Sequence, residues 1–389
     1  MWLLIFIFLL ITVVIAWCFF LYFILLWFIG LFQSKKTLEI PSSLPTVALI
    51  VPCYNEEKQI IAKLENIRSL KYPENLLEVI FVDGGSSDKT VDLLSKAIRE
   101  GEPCRIEQCD QPGKINQLNY GLAHSKGNII VNTDVDTLLS AEALIWVAAE
   151  FSISEDVLVV GAYSRPADTI EIEKYYWSAQ NKGRFIESDA MSSSIVIAPC
   201  YAFRRKLLNA FPADVVADDV YVAFLSHADG GKTVYSRKAV ALETRSPKSY
   251  AEFLPHKFRK SNAFIRESLR FLYLLPEMNF LYKIMFLTRL AQQLLLPWAL
   301  LFWFLIAGTL LTMSRFDIVL FILVLFSILF IFTNRIFSWL KLPEDDHKLS
   351  LLVMVKGYLL TLIIMLATGI SYPFFKQGSV YSRLKDNPQ

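Results

Sequence analysis

The apolar run Asn128-Ile129-Ile130-Val131 leads through Asn132 and Thr133 into Asp134-Val135-Asp136. A short, strongly apolar run of this kind reads as a buried strand. Carboxylates at i and i+2 on a strand end leave the pleat on the same side, so Asp134 and Asp136 can converge on one hard cation and on the phosphate oxygens it holds. An Asp-rich strand-to-loop turn with solvated carboxylates is the other reading of the triplet. Four further motifs, in order along the chain, and apolar segments at both ends favour the first.

Outward from this strand the pattern repeats. Val47-Ala48-Leu49-Ile50-Val51 and Glu78-Val79-Ile80-Phe81-Val82 are continuous apolar runs of the kind a parallel sheet covers on both faces. Between them, Ile60, Ile61, Leu64, Ile67 and Leu70 give helical spacing over 56–70. A second helix is expected over 87–99 with Ser87 as its N-cap, and a third over 117–124. Strand and helix alternating in this way predict an α/β domain over 45–250, a Rossmann-like, doubly wound and mostly parallel sheet. Ligands of such sheets sit at the carboxyl ends of strands, where every motif below falls.

With 54% hydrophobic and 14% aromatic residues among 389, and a mean hydropathy of +0.41, part of the chain must be solvated by lipid. A net charge of +2 offers no footprint for nucleic acid and excludes that partner. Residues 1–32 carry no charged side chain, a stretch longer than the ~20 residues a spanning helix needs. Without the basic start and short apolar core of a cleaved leader, they read as a retained transmembrane anchor. Lys35 and Lys36 at its exit place the next segment on the cytoplasmic side. A C-terminal transmembrane region is expected over 291–375, with spans at 291–313, 316–333 and 349–375, followed by a tail over 376–389. Arg335, Lys341 and Lys348 fit a cytoplasmic loop in a four-span chain, although Lys376, Arg383 and Lys385 would then face outward. Residues 251–290 read as amphipathic interfacial helices. Glu277, Lys283 and Arg289 interrupt the apolar pattern there, and a fifth span is the alternative. Lys356 reads as a snorkelling lysine. The five cysteines form no CxxC and the four histidines are scattered, so no zinc site is indicated, and free thiols suit a reducing compartment.

Each remaining motif has a chemical and a plain structural reading. Pro52-Cys53-Tyr54-Asn55-Glu56 ends the first strand, where helix-start amides and a tyrosine face suit a polar heterocycle, or where a residue merely caps a helix. Asp83-Gly84-Gly85-Ser86 ends the second, with glycines that allow close backbone approach and an acid that can accept from an imide, or can shape the turn. Gly113-Lys114 precedes a helix and suits a phosphate, or water.

Together with Leu118-Asn119 and Asp134-Val135-Asp136, these motifs resemble the family 2 glycosyltransferases of GT-A fold. The apolar flanks resemble that family's integral-membrane branch, which includes poly-N-acetylglucosamine, hyaluronan, chitin and cellulose synthases and ceramide glucosyltransferases. The resemblance implies that Pro52, Tyr54, Glu56 and Asp83 hold the nucleoside and that Lys114 approaches the donor. It implies further that Asp134 serves the ribose side, with Asp134 and Asp136 carrying Mg²⁺ or Mn²⁺ on the diphosphate. Many members have a second acid where Gly84 stands. Asp218-Asp219 resembles the paired-acid motif whose second member is the general base, and a carboxylate can take the proton of an acceptor hydroxyl. A cap with favourable charge at a helix start is the structural alternative. Cys200 and Tyr201 stand in the acceptor loop, ahead of Arg204 and Arg205, and Pro199 and Cys200 replace expected glycines. His256-Lys257-Phe258-Arg259-Lys260 stands where the membrane synthases carry Gln-x-x-Arg-Trp. Arg259 is implied to meet the leaving diphosphate and His256 the acceptor side, while Lys260 replaces the tryptophan of processive synthases.

The expectation is a membrane-bound inverting enzyme that moves a sugar from a nucleotide-sugar donor, most simply a UDP-sugar, to a hydroxyl of a saccharide or lipid acceptor. Its catalytic domain is expected on the cytoplasmic side of the plasma (inner) membrane. Processive polymer synthesis and single transfer to a lipid both remain open, as does the need for an accessory subunit. A catalytically silent nucleotide-sugar-binding subunit is the alternative from another class.

Overall fold

The computed structural model describes residues 1–33, 37–343, 351–375 and 377–378. Lys35, Lys36, His347, Lys348, Lys376, Arg383 and Lys385, with most of the tail, lie outside the described residues. In chain order the elements are α1 (Trp2–Ala16), a π-helical turn (Trp17–Leu21), α2 (Tyr22–Phe32), β1 (Val47–Cys53), α3 (Ile60–Arg68), β2 (Leu77–Asp83), α4 (Thr90–Ala97), β3 (Cys104–Gln108) and α5 (Lys114–Ala123). Then follow β4 (Ile129–Thr133), β5 (Thr137–Leu139), α6 (Ala143–Ile153), β6 (Val157–Pro166), α7 (Glu171–Ala190), β7 (Cys200–Arg204), α8 (Asp218–Ala228) and β8 (Lys232–Glu243). The chain continues through α9 (Tyr250–Arg270), α10 (Phe280–Leu294), α11 (Leu296–Thr312), α12 (Phe316–Trp339) and α13 (Leu351–Ser371).

One eight-stranded sheet runs in the order β3-β2-β1-β4-β7-β6-β8-β5. Its first four strands are parallel, β7 is antiparallel to β4 and β6, β8 is parallel to β6, and β5 closes the far edge antiparallel. The unbroken apolar runs have the cause expected of them. Val47, Leu49 and Val51 of β1 pack toward α3 and α6, whereas Ala48 and Ile50 pack toward α5 and α8. A strand buried on both faces leaves no place for alternating polar residues.

The first two helices start later than their spacing suggests. Glu56 and Gln59 make only a turn before α3, and the amides near it are satisfied from the neighbouring loop. Asn55 donates its N–H to Ser86 Oγ at 2.8 Å, and Ser87 donates to Asn55 Oδ1 at 2.8 Å. Ser87, the expected cap, is therefore engaged between the two loops, and Asp88 Oδ1 accepts the Thr90 N–H at 2.9 Å where α4 begins.

Among the described residues three helices are long and apolar enough to cross a membrane: Trp2–Phe32, Phe316–Trp339 and Leu352–Ser371. The span expected over 291–313 takes another form, since α11 meets α10 at a bend of 58°. Pro297 at the start of α11 supplies no N–H to continue the preceding helix. The stretch over 251–290 expected to lie flat before it consists of α9, a 3₁₀ segment (Phe271–Glu277) and most of α10, whose Tyr282, Met285 and Phe286 pack with Tyr22 and Leu26. The π-turn in the first long helix has a specific partner. Gln292 Nε2 donates to Cys18 O at 2.7 Å, and Trp17 Nε1 donates to Thr288 Oγ1 at 2.9 Å. Lys356 is exposed on α13, near its start.

Candidate active site

The carboxyl ends of β1 and β4 open into a cavity of about 1160 Å³ that continues between α7, α9, α10 and α13. Pro52, Tyr54, Glu56, Lys114, Asp134, Asp136, Asp218, Asp219, His256 and Arg259 all line it, so residues from five separate segments are brought to one chamber.

The wall on the sheet side is built from strand-end turns. Tyr54 is 45% exposed and presents its ring to the opening. Gly84 lies against Gln117, and a Cβ there would sit 2.8 Å from the Gln117 amide nitrogen. Gln117 Nε2 in turn ties Cys53 O and Val82 O, so the two loops are clamped at one distance. Asp83 does not reach the cavity. Its carboxylate accepts from the N–H groups of Gly85 and Ser86 at 3.0 Å and from Ser86 Oγ at 2.5 Å, which is the turn-shaping arrangement.

Asp134 and Asp136 stand among cations. Lys114 Nζ lies 2.8 Å from Asp134 Oδ1 and 3.5 Å from Asp218 Oδ2, so a single ammonium joins the acids after β4 to those at the start of α8. Asp136 Oδ2 lies 3.5 Å from Arg245, which also pairs with Glu56 at 2.6 Å. Burial, with Asp134 and Glu243 close by, pushes Asp136 up to about 7, so its ionised form favours a positive partner. Beneath the turn, fully buried Lys63 donates to Thr133 Oγ1 at 2.9 Å and to Thr137 O at 2.6 Å, bracing the backbone on either side of both carboxylates. Burial lowers Lys63 to about 8.

Among the described residues no three His, Cys, Asp or Glu side chains form a metal cage. Two carboxylates facing one chamber nevertheless match the way Mg²⁺ is held, by one or two acids with the remaining positions left to water and substrate oxygens. The residues present fit such a cation.

On the other side of Lys114, Asp218 accepts from Tyr201 Oη at 2.6 Å, and Tyr201 accepts from Asn132 Nδ2 at 2.6 Å. Asp219 Oδ2 accepts the Ala198 N–H at 2.9 Å. Burial and the neighbouring Asp218 raise Asp219 to about 6. Glu267 of α9 accepts from Val216 N at 2.6 Å and so holds the approach to both acids.

The remaining acceptor-side candidates separate. Cys200 and Tyr201 are buried in β7 and do not line the cavity; burial pushes the Cys200 thiol up to about 12. Arg204 and Arg205 bond the carbonyls of Phe151, Val157 and Gly127 and are likewise structural. His256 does face the chamber, held well below the usual histidine range by burial and by Lys260, Lys257 and Arg259.

Sequence reading missed Arg245, Lys63 and a buried node in which Glu187 accepts from Tyr22 Oη at 2.6 Å, from Arg289 Nε at 2.7 Å and from Ser194 N at 2.9 Å. Arg245 stands 189 positions from Glu56 in a stretch without periodicity, so no local signal could find it. Glu187 lies inside a helix whose charges look solvated until α2 and α10 cover them.

Residues 48–211 match the model of Glycosyl transferase family 2. An N-acetylglucosaminyltransferase of Bradyrhizobium diazoefficiens is 26% identical over 254 residues, 60% of this chain and 52% of that protein. A beta-monoglucosyldiacylglycerol synthase of Nostoc sp. is 29% identical over 152 residues, 38% of this chain and 31% of that protein. The chain spans about half the length, or less, of these relatives. Among solved structures, the mannosyltransferase PcManGT from Pyrobaculum calidifontis, in complex with GDP-Man and Mn²⁺, covers 96% of this chain and 100% of its own with a TM-score of 0.71. At 21% identity that likeness is one of fold. The β1-to-β7 region, residues 48–211, is thus similar to family 2 glycosyltransferases, the relatives it resembles carry the names of sugar transferases, and the fold is the GT-A fold it shares with that mannosyltransferase.

Proposed function

We propose that the chain is an integral-membrane, inverting glycosyltransferase that passes a sugar from a nucleotide diphosphate donor, a UDP-sugar in the simplest case, to a hydroxyl of a membrane-borne acceptor. The observation that carries this reading is the Lys114 ammonium, which joins Asp134 to Asp218 and puts donor-side and acceptor-side acids in one cavity. Pro52, Tyr54 and Glu56 would hold the nucleoside, with Asp83 acting through the backbone turn that it shapes. Lys114 and Arg259 would face the diphosphate. Asp134 and Asp136 would hold Mg²⁺ or Mn²⁺, which when bound supplies positive charge to the departing phosphate oxygens.

Asp219 is the base. The acceptor oxygen attacks the anomeric carbon, its proton passes to the Asp219 carboxylate, and the bond to the diphosphate breaks with its electron pair leaving on phosphate. One in-line displacement inverts the anomeric configuration. Tyr201 serves this chemistry indirectly by orienting Asp218, and buried Cys200 takes no part.

A lipid acceptor with single transfer is the preferred reading, because Lys260 stands where a processive synthase has its tryptophan and the cavity reaches the membrane helices. The catalytic domain would lie on the cytoplasmic face of the plasma membrane, beside apolar helices long enough to span it.

The test is purified full-length protein in nanodiscs with labelled UDP-glucose, UDP-N-acetylglucosamine and GDP-mannose. One sugar on an extractable lipid supports the proposal; a ladder of polymer would replace it with processive synthesis. Absence of any nucleotide-sugar cleavage removes it.

A further inference from the structure

We infer that the acceptor is anionic, a hydroxyl-bearing phospholipid headgroup whose phosphate is received by Arg184 and Lys260 while its hydroxyl meets Asp219. This rests on the sugar-transfer reading above.

The inward-facing cations of this half of the molecule mostly have carboxylate partners. Lys257 pairs with Glu173 at 2.8 Å, Arg289 with Glu187 at 2.7 Å and Arg270 with Glu267 at 2.9 Å. Arg184 and Lys260 have no carboxylate within 4.0 Å among the described residues, yet both line the cavity. Arg184 is only 6% exposed; its Nη1 donates to Asn181 Oδ1 at 3.1 Å, and its Nε has no hydrogen-bond partner there. Lys260 rests 5.5 Å from the Trp177 ring, and Trp177 lies about two helical turns before Arg184 on α7. Asp219 and Glu243 act on Lys260 through space without closing an ion pair.

A buried guanidinium without a countercharge is unfavourable, and its fork matches phosphate oxygens. A neutral glycan or a neutral glyceride would leave Arg184 without a countercharge and Lys260 with only the more distant Asp219 and Glu243. Lipid is the source indicated, because the same cavity continues to Gln293 of α10 and to Thr361 and Ile364 of α13, one of the helices long enough to cross a bilayer.

The experiment offers the full chain three acceptors in phosphatidylcholine nanodiscs with labelled nucleotide sugars: phosphatidylglycerol, diacylglycerol and soluble glycerol phosphate. Label should enter phosphatidylglycerol roughly tenfold or more faster than either of the others, as one charge-assisted contact warrants. Lys260→Met and Arg184→Met should each bring the phosphatidylglycerol-to-diacylglycerol ratio toward one, and Lys260→Arg should keep it; a folding defect lowers both rates and leaves the ratio alone. Equal labelling of the two lipids, a ratio unchanged in both methionine variants, or donor cleavage with neither lipid labelled overturns the inference. Preference for soluble glycerol phosphate overturns the lipid source. Failure to cleave any nucleotide sugar would instead remove the sugar-transfer reading itself.

Discussion

The two halves of the cavity are held by different physics. The half proposed to take the donor hangs from strand ends: the turns after β1, β2 and β4 present Tyr54, Gly84, Asp134 and Asp136, and hydrogen bonds between adjacent loops keep them in place. The half proposed to take the acceptor has no such frame. There α7, α9 and α10 are joined by buried ion pairs, Glu173 with Lys257 and Glu187 with Arg289, and Tyr22 of the first apolar helix completes the second of them. A parallel sheet thus positions a site through its own backbone, whereas helices that meet beside apolar segments need specific charges to fix their relation.

Each half can be broken separately, and the largest effect belongs where they meet. Asp219→Asn should lower sugar transfer by about 10²- to 10⁴-fold, the range of general-base catalysis, while donor binding persists. The wild-type rate should also follow ionisation of this acid. With Asp219 raised to about 6, its proton-accepting form is lost as pH falls through that value, and transfer at pH 5 should be about a tenth of its plateau. Initial rates between pH 5 and 8, with and without the substitution, decide this; an acid limb that survives in the variant assigns it to another group.

Next in size is the acceptor half. Glu187→Gln leaves the Arg289 charge buried without its carboxylate, and removal of one partner from a buried pair typically destabilises by about 3–5 kcal/mol. Thermal unfolding of the detergent-solubilised chain should show it as a large fall in midpoint. A midpoint within a degree or two of wild type would mean that the node does not hold α2, α7 and α10 together.

The smallest effect is expected under the donor half. Lys63→Met removes the hydrogen bonds to Thr133 and Thr137 that brace the Asp134-Asp136 turn, for about 1–3 kcal/mol of stability. A looser turn should raise KM for the nucleotide sugar more than it lowers kcat. A reversed split would place Lys63 in the chemical step and erase the distinction between bracing and reacting.

Much of the donor half was legible in the chain because its determinants are local. The runs in β1, β2 and β4 declare strands, and cavity-lining residues such as Asp134, Asp136 and Lys114 follow within a few positions of a strand or helix end. Asp83 shows the limit of that reading, since a strand-end acid can as well be consumed by its own turn. On the acceptor side, Asp219 and His256 were visible through motif resemblance, while Cys200 and Tyr201, adjacent to the right region, face into the sheet core.

What the amino-acid order alone determined is therefore the wound sheet, the apolar flanks and the acids at strand and helix starts, all set by periodicity and neighbouring residues. Tertiary structure decided that Arg245 meets Glu56 across 189 positions, that Gln292 caps the Cys18 carbonyl across 274, and which cations keep a free face toward the cavity. The physical reason is range: burial patterns repeat every two or four residues and leave a trace in sequence, whereas a charge pair closed between distant segments leaves none until the chain folds.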